Sequence, residues 1–131
     1  MSSASPDLLR LREALEASWD EKTSFGAVLK RGNPALGQCY PTSRVVQFFF
    51  PETEIVKGHV WNGKALEIHF WNLLDVRGAL YHIDFTWQQF PAGSTVRDYK
   101  ILDRNNLGDS PPTIARCELM KQRVSDYLAA L

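Results

Sequence analysis

The sequence predicts an α+β protein in which a central helix packs on an antiparallel meander of three or more strands, with helices near both chain ends. Three observations lead to this class. Apolar residues recur at helical spacing near both ends of the 131-residue chain. Segments rich in β-branched and aromatic residues fill its middle. Tight-turn sequences such as Asn62-Gly63 join those segments directly, which makes neighbouring strands antiparallel.

Length and composition indicate a single domain over residues 1–131, with residues 1–6 expected to be flexible. Lys and Arg together number 15 and are balanced by 15 Asp and Glu, so neither nucleic acid nor a membrane is an expected partner. The polar first residues contain no signal-peptide core, and no apolar stretch approaches membrane-spanning length. These features predict a cytoplasmic protein.

The first element is a packing helix predicted over residues 7–19. Its leucines recur every three or four positions, and Ser5 or Asp7 is placed to cap it, with Pro6 suited to a first helical position. A short second helix is predicted over Thr23–Leu29, which the Asn33-Pro34 break follows.

The central helix is predicted within Gly37–Phe50, with Cys39 at its N-terminus. Pro41 is tolerated in the first turn, and Pro51 ends the helix. A cysteine in the first turn lies at the positive end of the helix dipole, which favours the nucleophilic thiolate. The alternative is a small buried side chain, the usual role of a free cysteine.

Three strands are predicted over residues 54–61, 65–74 and 79–87, and residues 96–102 form either a further strand or a covering loop. A last helix is predicted from Ser110 through Leu131, with Cys117 on its buried stripe. Neither Cys39 nor Cys117 has a partner at metal-ligand spacing, so no metal and no cofactor are expected.

The predicted register brings a histidine to an aspartate. If the turn over residues 75–78 closes with Leu74 opposite Ala79, His69 falls directly opposite Asp84, with their Cβ atoms about 4.5–5.5 Å apart. An aspartate there fixes the imidazole tautomer and stabilises the imidazolium. The same register gathers four apolar side chains on the other face: Ile68, Phe70, Ile83 and Phe85.

The other two histidines lack this arrangement. His59 is predicted opposite Leu66 on the apolar-patterned face, and His82 opposite Trp71 without a carboxylate partner. Both are interpreted as surface or core-edge residues.

A helix-start cysteine, a strand histidine and an aspartate on the adjacent strand, in that chain order, resemble the papain-like and transglutaminase-like cysteine enzymes. More closely, Gly37-Gln38-Cys39, residues 68–72 and residues 83–90 resemble the YunG-like family of small bacterial proteins, with its GQC, H-x-WN and D-L-T-x-x-Q-F elements. Phe85 stands where that pattern has leucine, a conservative departure. The resemblance covers Gly37 to Phe90, with the last helix included, and implies a compact papain-like/transglutaminase-like fold.

The triad implies thiol-dependent acyl transfer on an amide. Cys39 attacks the carbonyl, His69 holds and returns the proton, and Asp84 orients His69. The Cys39 backbone N–H and the Gln38 side chain are the expected oxyanion donors. Other residues are predicted to line the substrate cleft, with core packing as the alternative for the aromatic ones: Trp71, Asn72 and Trp87.

The expected substrate is a small amide or an exposed end of a peptide or protein, and hydrolysis, deamidation and acyl transfer to an amine all stay open. One alternative function is a non-catalytic binding module that retains the fold. Another is a redox-sensing Cys39, for which Cys117 is the sole other thiol in the sequence.

Overall fold

The computed structural model describes residues 6–27 and 32–130, and this part of the chain is an α+β structure, as predicted. Its helices are α1 Leu8–Ser18, α2 Cys39–Phe49 and α3 Pro111–Ala129. Its strands are β1 Glu54–Trp61, β2 Leu66–Val76, β3 Ala79–Ile83 and β4 Thr95–Ile101.

Helices α1 and α3 begin where the sequence provides side-chain caps. The Asp7 carboxylate accepts a hydrogen bond from the Arg10 N–H at 2.7 Å, and Ser110 caps α3 through the Thr113 N–H. Helix α1 packs on α3, and α2 lies between α3 and the sheet. Their shared apolar core excludes water from the back of α2: Leu11, Ala14, Leu15, Trp19, Ala35, Val45, Val46, Met120 and Val124.

Three predictions fall partly on residues that lie outside the described ranges, the last of them being the end of the C-terminal helix at Leu131. The predicted flexibility of residues 1–6 concerns residues 1–5, of which nothing is described, and Pro6. In place of the short helix predicted over Thr23–Leu29, the described residues form a 3-10 turn over Phe25–Ala27, and residues 28–31 lie outside them.

The four strands form an antiparallel sheet in the order β3-β2-β1-β4. The predicted meander of β1, β2 and β3 is confirmed, and β4 returns to pair with the free edge of β1. The rings of His82 on β3 and Tyr99 on β4 are 5.4 Å apart, so the two edge strands of the sheet lie close to each other. The sheet is therefore curled.

The predicted register of β2 and β3 is wrong by two residues. Val76 pairs with Ala79, so the turn consists of Arg77 and Gly78 alone, with φ values of +54° and +89°. Positive φ at both central residues gives the turn whose twist suits a two-residue hairpin. A shift of two residues keeps every side chain on its predicted face. The pairing of β3 with β2 ends at Ile83, so Asp84 lies just beyond the strand.

Burial along β2 does not follow the hydrophobic pattern. His69 is fully buried and Trp71 is 4% exposed, whereas Leu66 and Ile68 on the apolar-patterned face are 56% and 55% exposed. His59 pairs with Ile68, not with Leu66 as predicted, because four residues connect β1 to β2. The buried histidine and the exposed isoleucine both border the start of α2.

Candidate functional site

The chain enters α2 through a tightly held turn that places Cys39 as the first helical residue. Gly37 has φ of +79°, and its carbonyl accepts a hydrogen bond from the Phe25 N–H at 2.8 Å. A Cβ on Gly37 would lie 2.2 Å from the Ser24 Oγ, so the turn has no room for a side chain. Cys39 is half-buried and has a free thiol that lines a cavity of about 520 Å³.

The predicted contact between His69 and Asp84 is present. The His69 Nε2 lies 2.7 Å from the Asp84 Oδ2. The other carboxylate oxygen of Asp84 accepts from the N–H and the hydroxyl of Thr86, at 3.1 and 3.3 Å. Asp84 follows the last residue of β3, and the turn it begins returns alongside β2, so the contact forms despite the shifted register.

His69 has a strongly perturbed pKa. Burial lowers the pKa of its imidazole, but the hydrogen bond with Asp84 and then the neighbouring Cys39 thiol raise it, to about 9. His69 is therefore protonated at neutral pH. Because its Nε2 faces Asp84, Nδ1 is the ring nitrogen left to contact other groups.

Aromatic rings enclose the imidazole. Trp71 stacks on His69 with ring centroids 5.5 Å apart, Phe90 contacts its edge at 4.8 Å, and Trp87 lies at 6.1 Å. The indole N–H of Trp71 donates to His82 at 2.9 Å. Trp71 and Trp87 line a different cavity, of about 830 Å³, and not the one that contains Cys39. The structure gives these two residues a packing role at His69, which was the alternative considered for them.

Gln38 and Asn72 are buried in structural hydrogen bonds. The Gln38 amide accepts from the Thr23 hydroxyl at 2.8 Å and donates to the Asp20 carbonyl at 2.9 Å. Asn72 donates to the Ser43 carbonyl of α2 at 3.0 Å. These bonds anchor α2 at Gln38, directly before the helix, and at Ser43 within it. Neither side chain lines the cavity at Cys39. The predicted cleft contact of Asn72 and the predicted oxyanion donation by Gln38 therefore gain no support from this arrangement and stay predictions.

Sequence reasoning missed Gln89, which borders both the cavity and the histidine. Its side-chain nitrogen lies 3.4 Å from the His69 Nδ1 and donates to the Thr86 carbonyl at 3.1 Å. Its backbone carbonyl accepts a hydrogen bond from the Asn33 side chain. The signal was in the motif, because Asp84, Thr86 and Gln89 occupy the D, T and Q of D-L-T-x-x-Q-F.

The second cysteine is remote from this chemistry. Burial raises the pKa of the Cys117 thiol to about 11, which agrees with its predicted place on the core stripe of α3. Among residues 6–27 and 32–130, no three His, Cys, Asp or Glu side chains are grouped to hold a metal ion. No helix in those ranges is long and apolar enough to cross a membrane.

Comparison with known proteins gives a family match that spans all the helices and strands described above. The model of a family described as YunG protein matches residues 7–129. No curated protein and no solved structure matches the chain. The family match is wider than the stretch from Gly37 to Phe90 in which the sequence resemblance was found.

Proposed function

The chain belongs to the YunG protein family, and we propose that it is a thiol-dependent acyl-transfer enzyme that acts on amides through Cys39, His69 and Asp84. The observation that carries the proposal is the 2.7 Å hydrogen bond between the buried His69 and Asp84, beside the helix start that bears Cys39. A buried charged pair next to a half-buried thiol is costly to maintain for packing alone.

The first half of the reaction forms a thioester. The Cys39 thiolate attacks the amide carbonyl carbon, a C–S bond forms, and the carbonyl oxygen becomes an oxyanion. His69, protonated at neutral pH, then gives its Nδ1 proton to the amine nitrogen as the C–N bond breaks. Asp84 stays ionised and holds Nε2 throughout, which keeps Nδ1 directed toward the thiol.

The second half releases the acyl group. Neutral His69 accepts a proton from the entering nucleophile, which attacks the thioester carbonyl, and the Cys39 thiolate leaves. Water as the nucleophile gives hydrolysis or side-chain deamidation, and an amine gives acyl transfer. The open cavity at Cys39 admits either nucleophile.

Two donors are available for the oxyanion. The Cys39 backbone N–H belongs to the first turn of α2, where it has no intrahelical partner. We assign the second donor to the Gln89 side chain, because it lines the cavity and its contact with the His69 Nδ1 is long at 3.4 Å. Gln38 holds the turn below the nucleophile through its bonds to Thr23 and Asp20.

The chain order of these residues also supports a compact papain-like or transglutaminase-like arrangement, in which the cysteine helix packs on a sheet that carries the other two groups. We place the protein in the cytoplasm, because its free thiols suit a reducing compartment. Its balanced charge argues against nucleic acid and membranes as partners.

Thiol reactivity tests the proposal. Wild-type protein and the Cys39→Ala and Cys117→Ala variants are alkylated with iodoacetamide at pH 6, with N-acetylcysteine as the model thiol, and the modified residue is identified by mass spectrometry. We expect Cys39 to react at least about tenfold faster than the model thiol, because the adjacent imidazolium stabilises its thiolate. The Cys117→Ala variant should react like wild type.

An amide substrate panel with an amine-release readout gives the second measurement. Turnover should be present in wild type and in Cys117→Ala and absent in Cys39→Ala. If Cys39 reacts no faster than the model thiol, the enzyme loses its nucleophile and the non-catalytic binding module becomes the better description.

A further inference from the structure

A groove leads away from Cys39 along the surface of the protein. The cavity of about 520 Å³ at Cys39 adjoins a second of about 370 Å³. The two share four lining residues, Phe25, Tyr40, Lys57 and Phe70. Together they form a continuous trough with the nucleophile near one end.

The walls of this groove are apolar surface that folding leaves uncovered. Phe25 is 73% exposed and Ile68 is 55% exposed. Tyr40 and Phe70 pack edge to face at 4.8 Å and present a further aromatic wall. An exposed ring and two half-buried rings beside a thiol favour the binding of an apolar group.

The far part of the groove carries positive charge. Lys57 and Arg116 both line it, and Arg116 lies 5.5 Å from the centre of the Phe25 ring. Within the described residues neither cation has an ion-pair partner, whereas the carboxylate of Asp109 is occupied by Tyr40 and Arg44.

The Cys39 end of the groove differs in charge. Its acidic residue, Glu67, accepts a hydrogen bond from the Asn62 side chain at 2.7 Å. Lys57 lines both cavities and Arg116 lines only the one away from Cys39, so the part of the groove that Lys57 and Arg116 share is the more positive one.

We infer that the amide substrate carries an aromatic or large apolar group together with a carboxylate, such as the C-terminal residue of a peptide. The apolar group lies on Phe25, Tyr40 and Phe70, and the carboxylate pairs with Lys57 and Arg116. This inference rests on the proposed function, because it assigns the groove to the substrate of Cys39.

Ligand binding to the Cys39→Ala variant tests the inference without turnover. The probes are N-acetylphenylalanine, its carboxamide, and N-acetylglycine, titrated by NMR chemical shifts. We expect N-acetylphenylalanine to bind about fivefold more tightly than its carboxamide, because a partly exposed ion pair contributes about that much to affinity. N-acetylglycine should bind more weakly than N-acetylphenylalanine.

Variants of the cationic residues show where the carboxylate of the probe binds. Lys57→Gln and Arg116→Gln should each reduce the preference for the free acid. Lys100→Gln should retain it, because Lys100 pairs with Lys57 across β1 and β4 but lines neither cavity. Equal binding of acid and carboxamide, equal binding of the glycine probe, absence of saturable binding, or an equal loss in Lys100→Gln would each overturn the inference.

The two proposals fail separately. A preference for the free acid with an unreactive Cys39 contradicts the enzymatic proposal and leaves the groove as a ligand site. A reactive Cys39 without that preference contradicts the substrate class alone.

Discussion

Replacing Asp84 by asparagine removes one charge from the site with little change in shape. The Oδ1 position of residue 84 would still accept from the Thr86 N–H and hydroxyl. The position that faces the His69 Nε2 would change from an acceptor to an amide donor. His69 would then turn its Nε2 lone pair toward residue 84 and carry its proton on Nδ1, which is the wrong tautomer for accepting a proton at the thiol side.

The size of the effect follows from the pKa of His69. Its elevation from 6.5 to about 9 corresponds to a preference for the imidazolium on the order of 3 kcal/mol. Burial lowers this pKa and is the largest single influence, so removing the Asp84 contact should lower the pKa of His69 markedly. We expect the turnover number to fall by about 10³ to 10⁴, as for a triad with a misoriented histidine.

Two-dimensional NMR of the imidazole nitrogens, followed against pH, measures both consequences. His59 and His82 serve as internal references. Asp98→Asn is the matched control, since Asp98 contacts a different histidine, His59, at 2.7 Å in an exposed pair between β1 and β4. The reasoning is refuted if His69 still titrates near pH 9 in Asp84→Asn, or if Asp98→Asn reduces turnover equally.

Three further predictions concern stability and the second oxyanion donor. Because the pKa of His69 is raised, its imidazolium should contribute fully to the free energy of unfolding below pH 6.5, and this contribution should be lost as the pH rises through about 9. Urea unfolding should show a loss on the order of 3 kcal/mol, and a profile that does not change with pH contradicts this. Gly58→Ala would place a Cβ 2.5 Å from the Trp71 ring and 2.6 Å from a β4 carbonyl, so the free energy of unfolding should fall by about 1–3 kcal/mol, and a loss below about 0.5 kcal/mol would refute the clash. Gln89→Leu should lower the turnover number about 10²-fold with little change in the free energy of unfolding. The control Gln88→Leu, at an exposed position, should keep the wild-type turnover number, and equal losses in both variants would refute oxyanion donation by Gln89.

The helices and most strand bounds could be predicted because local chemistry sets them. Asp7 and Ser110 cap α1 and α3, and Pro51 directly follows the end of the α2 region. These signals act within a few residues of the chain and need no knowledge of tertiary contacts. The start of α2 at Cys39 was predictable for the same reason.

The β2–β3 register could not be predicted from the same rules. The two-residue turn requires positive φ at Arg77, a conformation that arginine rarely adopts, so the sequence favoured a longer turn over residues 75–78. The contact between His69 and Asp84 was nevertheless predicted correctly. An even shift preserves the faces of a strand, and Asp84 reaches His69 from the turn after β3.

The burial of β2 shows why alternation misled the choice of packed face. Polar side chains normally mark a solvated face, but His69 and Asn72 are both buried, and each has a hydrogen-bond partner at 3.0 Å or less. Burial of a polar group costs little only when such partners are in place. The buried side chains of Gln38 and Thr86 also have hydrogen-bond partners. This concentration of satisfied polar groups fixes α2 and the imidazole relative to each other, which is the rigidity that a thiol nucleophile and its base require.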